Sequence, residues 1–201
     1  LLLNGDIFDF YKCSRYQQIP NKPSLKAELE MGRVFLRQLR QLFPTQKILF
    51  KDGNHENRLE NYIINQAPAL YGVESLTLSQ LLEFNDLNII HIKSHQLIQA
   101  GNLSILHGHE INAGGVNLAR SIYMKVGCSA LVAHNHKTSE VRFKTVQGNW
   151  HEVYTIGCLC DLYPDYAIFN QMNNGFAVVK VAADGGFKVD NLRTEKVDGG
   201  V

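Results

Sequence analysis

The chain has 201 residues, of which 45% are hydrophobic and 19% are charged, and its formal net charge is +1. This length supports one sizeable hydrophobic core and argues against two, and the near-neutral charge argues against an overall electrostatic attraction to nucleic acid. No apolar run reaches the length of a membrane span, and no secretory signal is visible. We therefore expect a single cytoplasmic domain over residues 1–201 that does not enter a membrane.

The first half of the chain predicts strands and helices in alternation. An apolar run predicts a strand that leads into Asp6. Ser24 is a suitable cap for an amphipathic helix that ends near Phe43, where Pro44 stops it. The other elements predicted in this half are strands over 47–51 and 87–92 and helices over 57–66 and 78–84. Strand, helix and strand in succession indicate an α/β sheet.

The second half is richer in strands. The predicted elements are strands over 96–100, 103–106, 140–145, 151–156 and 176–181, a helix over 115–126, and a strand directly before His134. A Gly-Asn turn at 101–102 joins the first two strands as a hairpin and indicates a second sheet. The fold class that we predict is α/β, with two mixed sheets packed as a sandwich and helices on the outside.

Polar side chains follow four of the predicted strands. They lie in the strings Gly-Asp-Ile-Phe-Asp over 5–9, Gly-Asn-His-Glu over 53–56, His-Gly-His over 107–109 and His-Asn-His over 134–136. Open α/β sheets place their chemistry at the carboxyl ends of strands, so the four strings together predict one metal centre. Imidazole, carboxylate and amide donors suit Mn, Fe, Zn or Ni and do not suit a calcium site.

In this order the strings resemble the motifs of the calcineurin-like metallophosphoesterases. Those motifs are DxH, GDxxD, GNH followed by Asp or Glu, a lone His, and GHxH, and the last four are present here, with Ala133 in place of the glycine of GHxH. The resemblance implies the two-sheet metallophosphoesterase sandwich. It also implies hydrolysis of a phosphomonoester or phosphodiester by a hydroxide that bridges two divalent ions, with Mn expected first and Fe, Zn or Ni as alternatives.

The resemblance also implies residue roles. It makes Asp6 the carboxylate that bridges the two metals, and the remaining ligands are Asn54, His107 and His134 for one metal and His136 for the other. His55 would contact the phosphate and protonate the leaving oxygen. Asp9 would hold His55 by a hydrogen bond, which fixes the tautomer of the imidazole.

Two departures from the family pattern affect this interpretation. No DxH motif precedes Asp6, because the sequence opens at Leu1 on the strand before it. We therefore expect that an amino-terminal segment with a first strand is missing, and without it the second metal would keep only Asp6 and His136. Phe10 stands where protein phosphatases of the family carry Arg, which counts against a phosphoprotein substrate.

Two alternative functions stay open. The segment 157–166 is similar to segments of phage and prophage members of the family, which favours a phage or DNA-repair nuclease. A nucleic acid bound by such a nuclease could contact a local basic patch of Lys137, Arg142 and Lys144. The missing DxH motif favours a non-catalytic interaction scaffold with a degenerate metal site. The segment 10–21 is the local sequence that we expect to influence the choice of substrate, and nothing in the sequence indicates an oligomeric state.

The four cysteines carry little functional information in the sequence. Cys13 and Cys128 are isolated, and Cys158 and Cys160 form a Cys-x-Cys pair without a second thiol pair at zinc-finger spacing. We expect reduced thiols that pack in the interior.

Overall fold

The structure is a computed structural model that describes residues 1–16, 20–163 and 170–194. The phage-like segment 157–166 and the segment 10–21 therefore lie partly outside the described residues. The chain divides into two units, Leu1–Gln96 and Leu97–Val201. Each unit is internally compact. That residues 1–201 form one domain stays a prediction.

A parallel sheet of three strands organises the first unit. In spatial order the strands are β1 (Leu2–Asn4), β2 (Ile48–Lys51) and β3 (Ile89–Ile92). Leu3 pairs with Phe50, and Phe50 pairs with His91, all in the parallel sense. The strings over 5–9 and 53–56 follow β1 and β2, so the two motifs leave neighbouring strands at the same edge of the sheet.

Helix α1 (Leu25–Leu42) begins where the sequence predicts. The side-chain oxygen of Ser24 accepts the backbone N–H of Ala27 at 3.2 Å, which caps the helix. Gly32 allows the helix to pack closely, since a Cβ atom at this position would lie 2.1 Å from the ring of Phe8. The helix thereby covers the loop that follows β1.

An aromatic cluster fills the core of the first unit. The ring of Phe50 lies 6.0 Å from that of Phe8 and 4.9 Å from that of Phe84, measured between centroids. Helices α2 (Asn57–Gln66) and α3 (Leu78–Leu81) add Leu59 and Leu78 to this core. Burial of these three large rings adds apolar contact area that stabilises the sheet behind the two motifs.

A mixed sheet of five strands organises the second unit. Its strands are β4 (Ile98–Ala100), β5 (Leu103–Leu106), β6 (Ala130–Val132), β7 (Ser139–Lys144) and β8 (Trp150–Thr155). The spatial order is β4, β5, β6, β8, β7, with the three central strands parallel and the two edge strands antiparallel to their neighbours. Helix α4 (Leu118–Val126) packs Ile122 against Val132 and Val153. Strands β9 (Gly175–Val181) and β10 (Phe187–Arg193) form an antiparallel hairpin.

The prediction of an α/β fold is confirmed, while the metallophosphoesterase sandwich stays a prediction. Two mixed sheets were expected, whereas the described strands form one parallel sheet, one mixed sheet and one antiparallel hairpin. Most predicted elements are present within a few residues, but helix α3 ends at Leu81 instead of near Phe84, and β10 was not predicted. Strand β10 forms although Asp190 and Asn191 lie at its centre, because it pairs with β9 along its whole length. In the described part of the chain, no helix combines the length and the apolar character needed to cross a membrane.

Candidate metal centre

Glu56 joins the two motif loops of the first unit. Its Oε2 accepts the backbone N–H groups of Asp6 and Gly53, each at 2.8 Å. Its Oε1 accepts those of Ile7 at 2.8 Å and Phe8 at 3.1 Å. Burial, followed by the nearby charge of Asp6, raises the pKa of Glu56, which is only 3% exposed, while the backbone N–H groups oppose this rise. One side chain therefore fixes the loop after β1 against the loop after β2.

The side chain of Asp6 contacts the backbone of the second motif. Its Oδ1 accepts the backbone N–H of His55 at 3.0 Å, and a Cβ atom at Gly53 would lie only 2.2 Å from that oxygen. The backbone of Asp6 has a left-handed φ of 55°, a conformation that aspartate adopts more readily than most residues. Such a conformation persists only where the surrounding contacts impose it, as the Glu56 bonds do here.

Asn54 carries a buried polar atom in the loop after β2. Its Oδ1 is buried and has no hydrogen-bond partner among the residues that the structure describes. An unsatisfied buried acceptor costs about 1–3 kcal/mol, so such an atom requires an explanation. A carboxamide oxygen is an accepted ligand of divalent ions. The Asn54 oxygen therefore fits the role of a metal ligand.

His55, Asp9 and Arg58 form a hydrogen-bonded group. His55 Nδ1 lies 3.2 Å from Asp9 Oδ1, and His55 Nε2 lies 2.9 Å from Arg58 Nη2. Arg58 Nη1 also donates to the Asp9 carboxylate and, at 2.7 Å, to the Asp9 carbonyl oxygen. The hydrogen bond from His55, with the charge of Arg58, lowers the pKa of Asp9. The stability that this pairing contributes is therefore present at neutral pH and is lost on acidification.

The contact with Arg58 decides which nitrogen of His55 carries the proton. A guanidinium has only donors and stays charged, so His55 Nε2 must accept the hydrogen bond from Arg58 Nη2. The proton of a neutral His55 then lies on Nδ1, facing Asp9. Arg58 was not identified from the sequence. Its place on the first turn of helix α2, three residues after His55, is the signal that could have indicated it.

The second unit brings imidazoles together at the carboxyl ends of two neighbouring parallel strands. His107 directly follows β5 and is 1% exposed, and His134 follows β6. Their ring centroids are 5.2 Å apart. His109, which the sequence did not assign to the site, lies 5.3 Å from the ring of His107 and 6.3 Å from that of His134. The nitrogen donors of this cluster suit a borderline divalent ion.

His136 contacts a different set of side chains. Its backbone is left-handed, with φ 53°, and its Nδ1 lies 3.9 Å from the Sγ of Cys160. The expectation that Cys158 and Cys160 pack in the interior is wrong for Cys160, which is exposed. Partial burial of the thiol group, together with its hydrogen bond to Cys158, nevertheless raises the pKa of Cys160 to about 12.

Comparisons with protein-family models, with curated proteins and with solved structures find no match to this chain. The resemblance to the metallophosphoesterases therefore rests on the motifs of the sequence alone.

Proposed function

We propose that this chain is a metal-dependent phosphoesterase that hydrolyses a phosphomonoester or a phosphodiester. The observation that carries the proposal is the buried Oδ1 of Asn54, which lacks a hydrogen-bond partner within the described ranges. It follows β2 at the sheet edge where β1 delivers the Asp6 carboxylate, in a loop that Glu56 holds in place. A carboxylate and an unsatisfied amide oxygen at one sheet edge are a reasonable pair of ligands for a divalent ion.

The proposal assigns two divalent ions, with Mn expected first and Fe, Zn or Ni as alternatives. The ligands proposed are those that the resemblance implies, namely Asp6, Asn54, His107, His134 and His136. When bound, such ions make water a nucleophile at neutral pH and offset the negative charge that grows in an in-line phosphoryl transfer.

Around the phosphate, the proposal gives each of three side chains a role. The guanidinium of Arg58 can donate two parallel hydrogen bonds to two phosphate oxygens. When it turns towards the phosphate, it no longer donates a hydrogen bond to the Nε2 of His55. His55 Nε2 can then take up a proton and give it to the leaving oxygen. Asp9, which lies 3.2 Å from Nδ1, keeps the ring oriented.

Metal content and hydrolysis, measured on the same sample purified with Mn²⁺, test the proposal. We expect bound Mn²⁺, determined by elemental analysis, and turnover of bis-para-nitrophenyl phosphate. Asn54→Ala should lower both the affinity for Mn²⁺ and the turnover, because it removes the proposed amide ligand, whereas Asn61→Ala on the exposed face of α2 should change neither. A chain that binds no Mn²⁺ and shows no turnover would contradict the proposal and favour the non-catalytic scaffold.

His55→Ala should separate proton transfer from metal binding. For an alkyl phosphoester, we expect kcat to fall by about 100-fold or more, which is the usual contribution of a general acid, with the metal content unchanged. The loss should be larger for an alkyl ester than for a para-nitrophenyl ester, because para-nitrophenolate leaves without needing a proton. His95→Ala, at an exposed position, serves as the control. Loss of bound metal in His55→Ala would instead make His55 a ligand.

A further inference from the structure

Three side chains of the second unit converge on one point. They are His136, Cys158 and Cys160, and their ligand atoms all lie within 4.8 Å of one another. The Sγ of Cys160 is 3.9 Å from the Nδ1 of His136. Around a tetrahedral zinc ion, with Zn–S near 2.3 Å and Zn–N near 2.0–2.1 Å, the ligand atoms are separated by about 3.5–3.8 Å. The three side chains therefore need to shift by less than about 1 Å to share one ion.

We propose that His136, Cys158 and Cys160 form a binding site for a thiophilic divalent ion, and for Zn²⁺ in particular. Thiolate ligands select zinc over Mn²⁺ or Mg²⁺, which prefer oxygen. Three protein ligands leave the fourth tetrahedral position to water or to a substrate atom, as in catalytic zinc sites. Binding converts two thiols into thiolates, and the two protons pass to solvent without any oxidation or reduction.

This inference goes beyond the proposed phosphoesterase activity and does not require it. All three ligands belong to the second unit, and none of them is supplied by the motifs over 5–9 and 53–56. If the proposed function also holds, the thiolates of Cys158 and Cys160 bind the same ion as His136. Zn²⁺ is then expected at that position instead of Mn²⁺.

Backbone hydrogen bonds hold the ligand-bearing segments together. The carbonyl oxygen of Asn173 accepts the N–H of Cys158 at 3.0 Å, and the N–H of Asn173 donates to the carbonyl oxygen of His136 at 2.9 Å. The N–H of Gly175 donates to the carbonyl oxygen of Cys158 at 2.9 Å. Gly157 permits this close approach, since a Cβ atom there would lie 2.5 Å from the carbonyl oxygen of Asn173. The same three residues, 173–175, therefore position both the imidazole and the thiols.

The side chain of Asn174 contacts both cysteines. Its Nδ2 donates to the carbonyl oxygens of Cys158 at 3.2 Å and Cys160 at 2.9 Å, and it lies 3.8 Å from the Sγ of Cys158. An N–H donor beside a sulfur stabilises the thiolate and fixes its direction, which is the usual function of groups around a metal ligand. A pair of cysteines used only for packing has no need of such a donor.

Cobalt substitution tests the site directly. The protein, reduced and freed of metal, is titrated with Co²⁺, and we expect one equivalent to produce the near-ultraviolet charge-transfer absorption of cobalt thiolates. Zn²⁺ should displace the cobalt. Cys158→Ser and Cys160→Ser should each lose most of this absorption and weaken Zn²⁺ binding by more than about 100-fold, because loss of outer partners alone costs 10- to 100-fold. Cys128→Ser, at a half-buried thiol of the same unit, should leave both unchanged.

A second measurement uses the unaltered protein and so does not depend on the folding of the variants. Zn²⁺ should protect Cys158 and Cys160 from alkylation by iodoacetamide, as read by mass spectrometry, without changing the labelling of Cys128. The inference is overturned if Co²⁺ gives no thiolate absorption, or if both serine variants keep it. Hydrolysis without the absorption contradicts this inference alone, and the absorption without hydrolysis contradicts the proposed function alone.

Discussion

Replacing Asp6 with asparagine is expected to lower kcat/KM for phosphoester hydrolysis by at least about 1000-fold. A charge that stabilises phosphoryl transfer through a metal is worth several kcal/mol, and each 1.36 kcal/mol corresponds to a factor of ten. Asparagine keeps the size of the side chain, and its oxygen can still accept the N–H that His55 donates at 3.0 Å. It also tolerates the left-handed φ of 55°. The substitution therefore removes the negative charge and little else.

The matched control is Asp86→Asn. Asp86 is exposed and belongs to the same unit, so this variant makes the same change of net charge away from the motifs. Both variants should melt within a few degrees of the unaltered protein, while Asp6→Asn alone should lose turnover and bound Mn²⁺. Near-normal hydrolysis by Asp6→Asn would rule out the two-metal mechanism. A large drop in melting temperature would show instead that the carboxylate is needed for the fold.

The strand ends were predictable because they depend on local sequence. Apolar runs of β-branched and large residues predict short buried strands, and the polar residue after each run is visible in the sequence. Asp6, His107 and His134 follow β1, β5 and β6 in the structure. We expected His107 and His134 at one site, but the 5.2 Å separation of their rings depends on the pairing of β5 with β6, which the local sequence does not specify.

The supporting residues were not predictable, because their partners are distant in sequence. Glu56 binds backbone N–H groups that lie 48–50 residues before it, and backbone donors carry no residue-specific pattern. The left-handed φ angles of His134 and His136 were equally unpredictable, since only a few per cent of non-glycine residues adopt this conformation and neighbouring residues do not signal it. The contact of His136 with Cys160 depends on the segment 173–175, which shows no motif.

Glu56→Gln should destabilise the first unit by about 3 kcal/mol, because it breaks the contacts between the two motif loops. The carboxylate accepts four backbone N–H groups, two on each oxygen. A glutamine offers one oxygen and one NH₂ group, so two of the four donors would face another donor, each at a cost of about 1–3 kcal/mol. Removing the buried charge offsets part of this cost, since burial raises the pKa of Glu56.

Urea denaturation measures this effect, with Glu60→Gln at an exposed position of α2 as the control. We expect the midpoint for Glu56→Gln to fall and the melting temperature to drop by about 6–12 °C, at 2–4 °C for each kcal/mol in a chain of this size. The affinity for Mn²⁺ should fall as well, because the loop of Asp6 loses the bonds that hold it against Gly53. A midpoint equal to that of the unaltered protein would contradict this prediction, because it would show that the four hydrogen bonds to the carboxylate add nothing measurable to the stability of the first unit.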